Sequence, residues 1–213
     1  MPEPVTRGDI SNSILKRCSE SDFGLLHPHL ETVGLPVRKT LEARNRRIRT
    51  IYFMESGFAS VVANGATQPS TEVGLIGREG MSGLAVVLGA DRPIHETFMQ
   101  VAGTGLCLAA DSLRRAIDQS SSLHRELLKA AYAFQTQVTH TALANGRSKI
   151  NERLCRWLLM DRVDATICHG RYAERSGRAA NRASSCDDTA ARKSPSLVAS
   201  FAWWIGVLGA VAN

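Results

Sequence analysis

The chain has 213 residues, room for one large domain or two small ones, and 44% of them are hydrophobic, enough for a real core. A net charge of +6 permits contact with nucleic acid without requiring it. The five cysteines (Cys18, Cys107, Cys155, Cys168 and Cys186) are scattered and contain no CxxC pair. That argues against a disulfide framework or a zinc knuckle and for a reducing cytoplasm. The opening MPEPVTRGDI holds no apolar run of the kind a signal peptide needs.

Residues 11–34 read as short helices. Ser11 or Ser13 suits the cap of a first helix, and Ser21-Asp22 the cap of a second carrying Phe23, Leu25 and Leu26. The same piece holds His27-Pro28-His29-Leu30-Glu31, and two imidazoles with a carboxylate suit a divalent transition metal, as in cupin-type metal proteins. Proline interrupts the pattern and no second matching motif follows, so a surface turn is expected and no metal is assigned. Elsewhere no nucleophile–base pair or carboxylate dyad stands out, and no enzymatic activity is expected.

From residue 35 to about 111 the character changes to short strands, at 40–41, 50–54, 59–63, 72–76, 95–101 and 105–108, separated by glycine-rich turns. Evenly spaced short strands predict a β-roll of the jelly-roll kind, closed by a helix. Asn64-Gly65 is a hairpin signal, because a type I′ turn needs positive φ at both central residues. Arg38, Lys39, Arg44, Arg46, Arg47 and Arg49 form the densest positive run. It suits either phosphate or, as expected here, the solvated face of an edge strand, where charge blocks aggregation.

Residues 121–160 contain no proline, and Leu123, Leu127, Ala131, Phe134, Val138 and Ala142 recur every three or four positions. That spacing predicts an amphipathic helix, capped by Ser120, Ser121 or Ser122, with Glu126 near the positive end of its dipole. The period drifts close to 3.5, which suits a dimer seam through Leu127, Phe134 and Val138; the alternative is a helix lying on its own domain. Gly146 weakens the helix by about 1 kcal/mol relative to alanine, which predicts a hinge near 146–151.

One stretch, Glu72-Val73-Gly74-Leu75-Ile76-Gly77-Arg78-Glu79-Gly80-Met81-Ser82-Gly83, is followed by Val86-Val87-Leu88-Gly89. Tyr52-Phe53-Met54-Glu55-Ser56-Gly57 precedes it, and Arg153-Leu154-Cys155-Arg156-Trp157-Leu158-Leu159-Met160 follows the long helix. In this order the three pieces resemble the Crp/Fnr superfamily of bacterial transcription regulators, over about residues 11–160. The resemblance implies an α+β chain: a cyclic-nucleotide-binding-like β-roll over 11–120, a dimerisation helix over 121–149 and, at 150–160, a remnant of the first helix of a winged helix-turn-helix. It further implies a homodimer, a small-molecule effector, and DNA as a partner. Effector binding would shift the population between two arrangements of the paired helices.

Residues 77–89 stand where the family carries its phosphate-binding cassette, in which glycines let backbone N–H groups approach an anion. The resemblance therefore assigns Gly77, Glu79, Gly80, Ser82 and Gly83 to the effector pocket, with Glu79 in the place of the ribose carboxylate. The alternative is a glycine-rich turn that only closes the roll. The family's arginine followed by a small hydroxyl residue is missing, since the stretch reads Asp91-Arg92-Pro93-Ile94-His95-Glu96-Thr97. Proline flanks Arg92 and Glu96 would repel a phosphate, which argues against cyclic AMP and leaves the effector unassigned. An iron–sulfur sensor needs several thiolates and only Cys18 lies near the N-terminus, so no cluster is expected. His95 and His124, each alone, read as structural or solvent-exposed rather than as haem ligands.

After Met160 the resemblance stops. Residues 161–196 contain no leucine, phenylalanine or tryptophan, and their large aliphatics are Val163 and Ile167. Such a segment cannot bury the core of a helix-turn-helix and reads as disordered. The closing LVASFAWWIGVLGAVAN has 17 residues, short of the roughly 20 a membrane helix needs, so no membrane partner is expected. A shift of reading frame just after Met160 accounts for both, and the DNA-binding output is expected to be impaired.

Overall fold

The structure, a computed structural model, describes residues 7–63 and 71–148. Among these, the strands are β1 (Glu31–Leu35), β2 (Thr40–Glu42), β3 (Thr50–Met54), β4 (Phe58–Ala63), β5 (Thr71–Ile76), β6 (Glu96–Val101) and β7 (Gly103–Ala109). They pair antiparallel into a three-stranded sheet, β1-β7-β3, and a four-stranded sheet, β2-β6-β4-β5. Five helices are α1 (Ser13–Arg17), α2 (Glu20–Leu26), α3 (Leu84–Val87), α4 (Ala110–Gln119) and α5 (Ser121–Arg147). The expected α+β architecture, a β-roll followed by one long helix, is the one observed.

Three local expectations are corrected. Residues 31–35 are a strand, not part of a helical piece, and pair with β7 from Glu31↔Cys107 to Leu35↔Gly103. Only Leu35 of that strand is fully buried, so its sequence carries almost no alternation. The caps sit one or two residues away from those expected: Asn12 Oδ1 accepts from the Ile14 and Leu15 amides at the start of α1, and Ser19 Oγ from the Asp22 amide at the start of α2. The basic run does not line an edge strand. Arg44, Arg46, Arg47 and Arg49 lie, exposed, in the loop between β2 and β3. That loop is held to the 91–93 segment by Asn45 N–H to the Pro93 carbonyl (2.9 Å) and Ile48 N–H to the Asp91 carbonyl (2.8 Å).

The chain divides into two units, residues 1–135 and 136–213. In the first unit the period of two along β3 sends alternate side chains to different cores. Ile51 and Phe53 enter one core with Leu106, Leu108, α1, α2, α4 and the α5 residues Leu123, Leu127 and Ala130. Met54 enters a second, between the sheets, with Leu35, Leu41, Ala59, Val61, Ile76 and Met99. Phe134, half-buried, packs against that second core. In the second unit, α5 continues through Gly146 to Arg147, with Gln137 buried and Val138 half-buried. The expectations for Asn64-Gly65, for the rest of the hinge, for 150–160 and for 161–213 fall outside the described residues. Among those described, no helix is long and apolar enough to cross a membrane.

Candidate functional site

The glycine-rich loop after β5 is closed first by its own backbone. Gly80 N–H donates to the Gly77 carbonyl at 3.0 Å, and Gly77 N–H donates to Glu79 Oε1 at 3.1 Å. The Glu79 carboxylate thus turns back onto its own loop and braces it, a role different from the ribose contact the family resemblance assigned. Met81 then bridges Phe53, and Ser82 is stitched to β3 twice. Its N–H donates to the Tyr52 carbonyl (2.9 Å) and its Oγ accepts from the Tyr52 N–H (3.0 Å). Ser82 is fully buried and its hydroxyl is committed to the fold, which corrects its assignment to an effector.

On its other side the loop is tied to the N-terminal helices. Ser13 N–H donates to the Arg78 carbonyl (2.8 Å), and Asn12 Nδ2 donates to the carbonyls of Gly80 (2.8 Å) and Met54 (3.1 Å). Glu55 completes the joint by accepting from the Ser11 and Asn12 amides. The fully buried Asn12 is therefore cap and clamp at once, a function its place in the sequence does not announce.

Gly83 ends the loop with φ +79°, a conformation side chains rarely adopt, and a Cβ there would lie 2.1 Å from Ile51 Cδ1. Held in that pose, its N–H donates to Glu42 Oε1 at 2.6 Å. The other oxygen, Glu42 Oε2, accepts from the fully buried Thr97 hydroxyl at 2.7 Å. Burial pushes the Glu42 carboxyl above its ordinary range, opposed by the Thr97 hydroxyl, the Gly83 amide and the nearby His95. Sequence reading missed Glu42. Its only signal is a carboxylate at the end of a three-residue edge strand, which usually means solvent.

The other candidates are dispersed. Arg92 is exposed, 3.7 Å from Asp91, and Glu96 opens β6, partly buried. His27 packs its ring 5.3 Å from Phe23 while His29 and Glu31 are exposed. Among the described residues, no group of three or more His, Cys, Asp or Glu could hold a metal ion. His124 Nε2 lies 3.2 Å from the Val87 carbonyl, within hydrogen-bond reach. Burial, with the Asp22 and Glu126 carboxylates, pushes the Cys18 thiol up to about 11, so it is no thiolate at neutral pH. A separate open cleft of about 710 Å³ lies beside α3 and α4, lined by Arg47, Leu88, Arg114, His124 and Leu128 among others.

Of the residues expected in the seam, Leu127 has no exposed surface and belongs to the core of its own unit, and Phe134, half-buried, packs on the second core. In this unit α5 instead exposes Leu128 (39%) and Tyr132 (58%). A helix can bury one stripe at home and show the neighbouring one, which the apolar period alone does not separate.

No protein-family model matches the chain, and no curated protein matches it. Solved structures do. The c-di-GMP responsive global regulator CLP of Xanthomonas campestris matches with TM-score 0.54 at 14% identity, over 66% of this chain and 70% of that one. A cyclic nucleotide-binding domain from Methylobacillus flagellatus matches with TM-score 0.55 at 12% identity, over 67% of this chain and 85% of that one. The regulatory domain of Toxoplasma gondii PKA matches with TM-score 0.47 at 22% identity over 58% of this chain, which spans about half, 47%, of that one. The first two fix the fold of the roll as that of the cyclic-nucleotide-binding type.

Proposed function

We propose that this chain is a Crp/Fnr-type transcription regulator, in which the β-roll senses a small molecule and α5 pairs with a second copy. The observation that carries the reading is the match of 66% of this chain to a global regulator, over 70% of that regulator's length. Catalysis has no part in it, and a cytoplasmic location goes with it. The DNA-binding output is impaired here, a reading that rests on the leucine- and aromatic-poor composition of residues 161–196. The pairing surface is the exposed stripe of α5 that includes Leu128 and Tyr132, because Leu127 is already used.

Light scattering tests the pairing. The chain runs as a dimer and Leu128→Asp with Tyr132→Asp as a monomer with unchanged circular dichroism; a double variant that stays dimeric refutes the seam. Gel shifts across a salt series test the output. Binding that weakens steeply with salt and ignores sequence fits an impaired regulator. One DNA sequence bound far more tightly than the rest would show that the readout is intact. A dimeric effector-binding module that never reads DNA is the second reading, favoured by the 85% coverage of an isolated cyclic nucleotide-binding domain.

A further inference from the structure

We propose that Glu42 is a ligand built into the roll: its carboxylate fills the position on Gly83 and Thr97 that an anionic effector would need, and so closes the cradle to phosphate-bearing nucleotides. This rests on the reading of the roll as a sensor and adds what the sensor refuses.

The geometry is that of a bound anion. Each carboxylate oxygen has its own donor, the Gly83 amide at 2.6 Å and the Thr97 hydroxyl at 2.7 Å, the short distances of charge-assisted bonds. Phosphate oxygens ask for the same donors. Both groups are held in place by the fold. Gly83 is locked by its positive φ and by Ile51 behind it, and Thr97 is fully buried on β6, opposite Glu42 on one side and Val61 on the other.

An incoming phosphate therefore has to displace Glu42 or sit beside it. Like charges a few ångströms apart in a partly buried site cost roughly a hundredfold or more in affinity. The loop offers little to offset this. Glu79 is a second carboxylate in it, and Arg92 lies at the surface next to Asp91. Glu42 thus holds the glycine loop with the contact an anion would make, and the loop needs no anion to keep its shape.

The test follows the Gly83 amide resonance by NMR in the full chain, titrated with sodium acetate, cyclic AMP or, as the ionic-strength control, sodium chloride. In the wild type none of the three moves it. In Glu42→Ala, acetate and cyclic AMP shift it saturably while chloride does not, and acetate raises the melting temperature of that variant alone. Should the alanine variant fail to fold, Glu42→Gln keeps the shape without the charge, and cyclic AMP must then shift the Gly83 resonance saturably, as it does not in the wild type. Saturable movement in the wild type, or none in the variant that folds, overturns the proposal. The resonance reports the cradle whether or not the chain dimerises or binds DNA, so its failure is separable from failure of the regulator reading.

Discussion

The first unit holds two carboxylates in opposite circumstances, a buried Asp22 and a half-buried Glu42. Asp22 Oδ1 accepts from the Ser120 hydroxyl, and its two oxygens share the Ser122 hydroxyl (2.9 and 2.8 Å), at the point where α2 meets the start of α5. Burial works to raise its pKa, but the hydroxyls of Ser120, Ser19 and Ser122 together outweigh it and hold the carboxyl below its ordinary value. Glu42 has the Gly83 amide and the Thr97 hydroxyl, and there burial wins. The difference separates a staple from a site. The Asp22 carboxylate is favoured by its partners and ties two helices together, whereas burial disfavours the Glu42 carboxylate despite its two donors.

The largest effect expected from breaking this contrast comes from the backbone under Glu42. Gly83→Ala forces a side chain into φ +79° and a Cβ to within 2.1 Å of Ile51 Cδ1 inside the core. Strain and overpacking together cost about 3 kcal/mol, read as an earlier midpoint in urea. A loss below about 1 kcal/mol would mean that Ile51 simply turns aside, and that the cradle is softer than the joint at Asp22. Next comes the staple. Asp22→Asn replaces charge-assisted bonds by neutral ones and costs about 2 kcal/mol at pH 7.

Because the folded-state pKa of Asp22 is depressed, the stability it supplies is present above the unfolded value, near 3.8, and is lost as pH falls through the folded one. The gap between wild type and Asp22→Asn in urea midpoints therefore narrows below about pH 4 and vanishes in stronger acid. A gap that stays constant from pH 7 to pH 3 would assign the loss to packing instead of charge.

Much of the fold was legible because period is a physical signal. Short runs bounded by glycine-rich turns placed β3 to β7 to within a residue or two, and the run from Leu123 announced α5. What stayed hidden depended on contacts distant in sequence. β1 buries only Leu35 fully, and its identity comes from β7, about seventy positions on. Which α5 stripe faces home was likewise decided by the core it packs on, not by the helix itself. In the loop, the glycines were found from their motif, but the roles of Glu79, Ser82 and Glu42 turn on partners 2, 30 and 41 positions away. Only the glycine at 83, needed for its φ, was marked by its own chemistry.

The smallest effect is the most discriminating. Glu42→Gln keeps the side chain's shape and one acceptor for the Gly83 amide, and the Thr97 hydroxyl can stay a donor or turn to accept. Since the folded-state pKa of Glu42 is raised, the folded chain holds its proton more tightly than the unfolded one. Wild-type stability therefore falls as pH rises from the unfolded value, near 4.5, through the folded value. Gln carries no such cost. At pH 7 the variant should match the wild type or exceed it by up to about 1 kcal/mol, and the advantage should fade as pH drops toward 4. Equilibrium urea unfolding of both proteins between pH 4 and 8 decides it. A variant less stable at pH 7 by as much as Asp22→Asn would make Glu42 a second staple, and the carboxylate on Gly83 would then be there to hold β2 to the loop. A variant as stable as the wild type, with its midpoint flat in pH, leaves the charge without a structural reason and keeps it for the cradle.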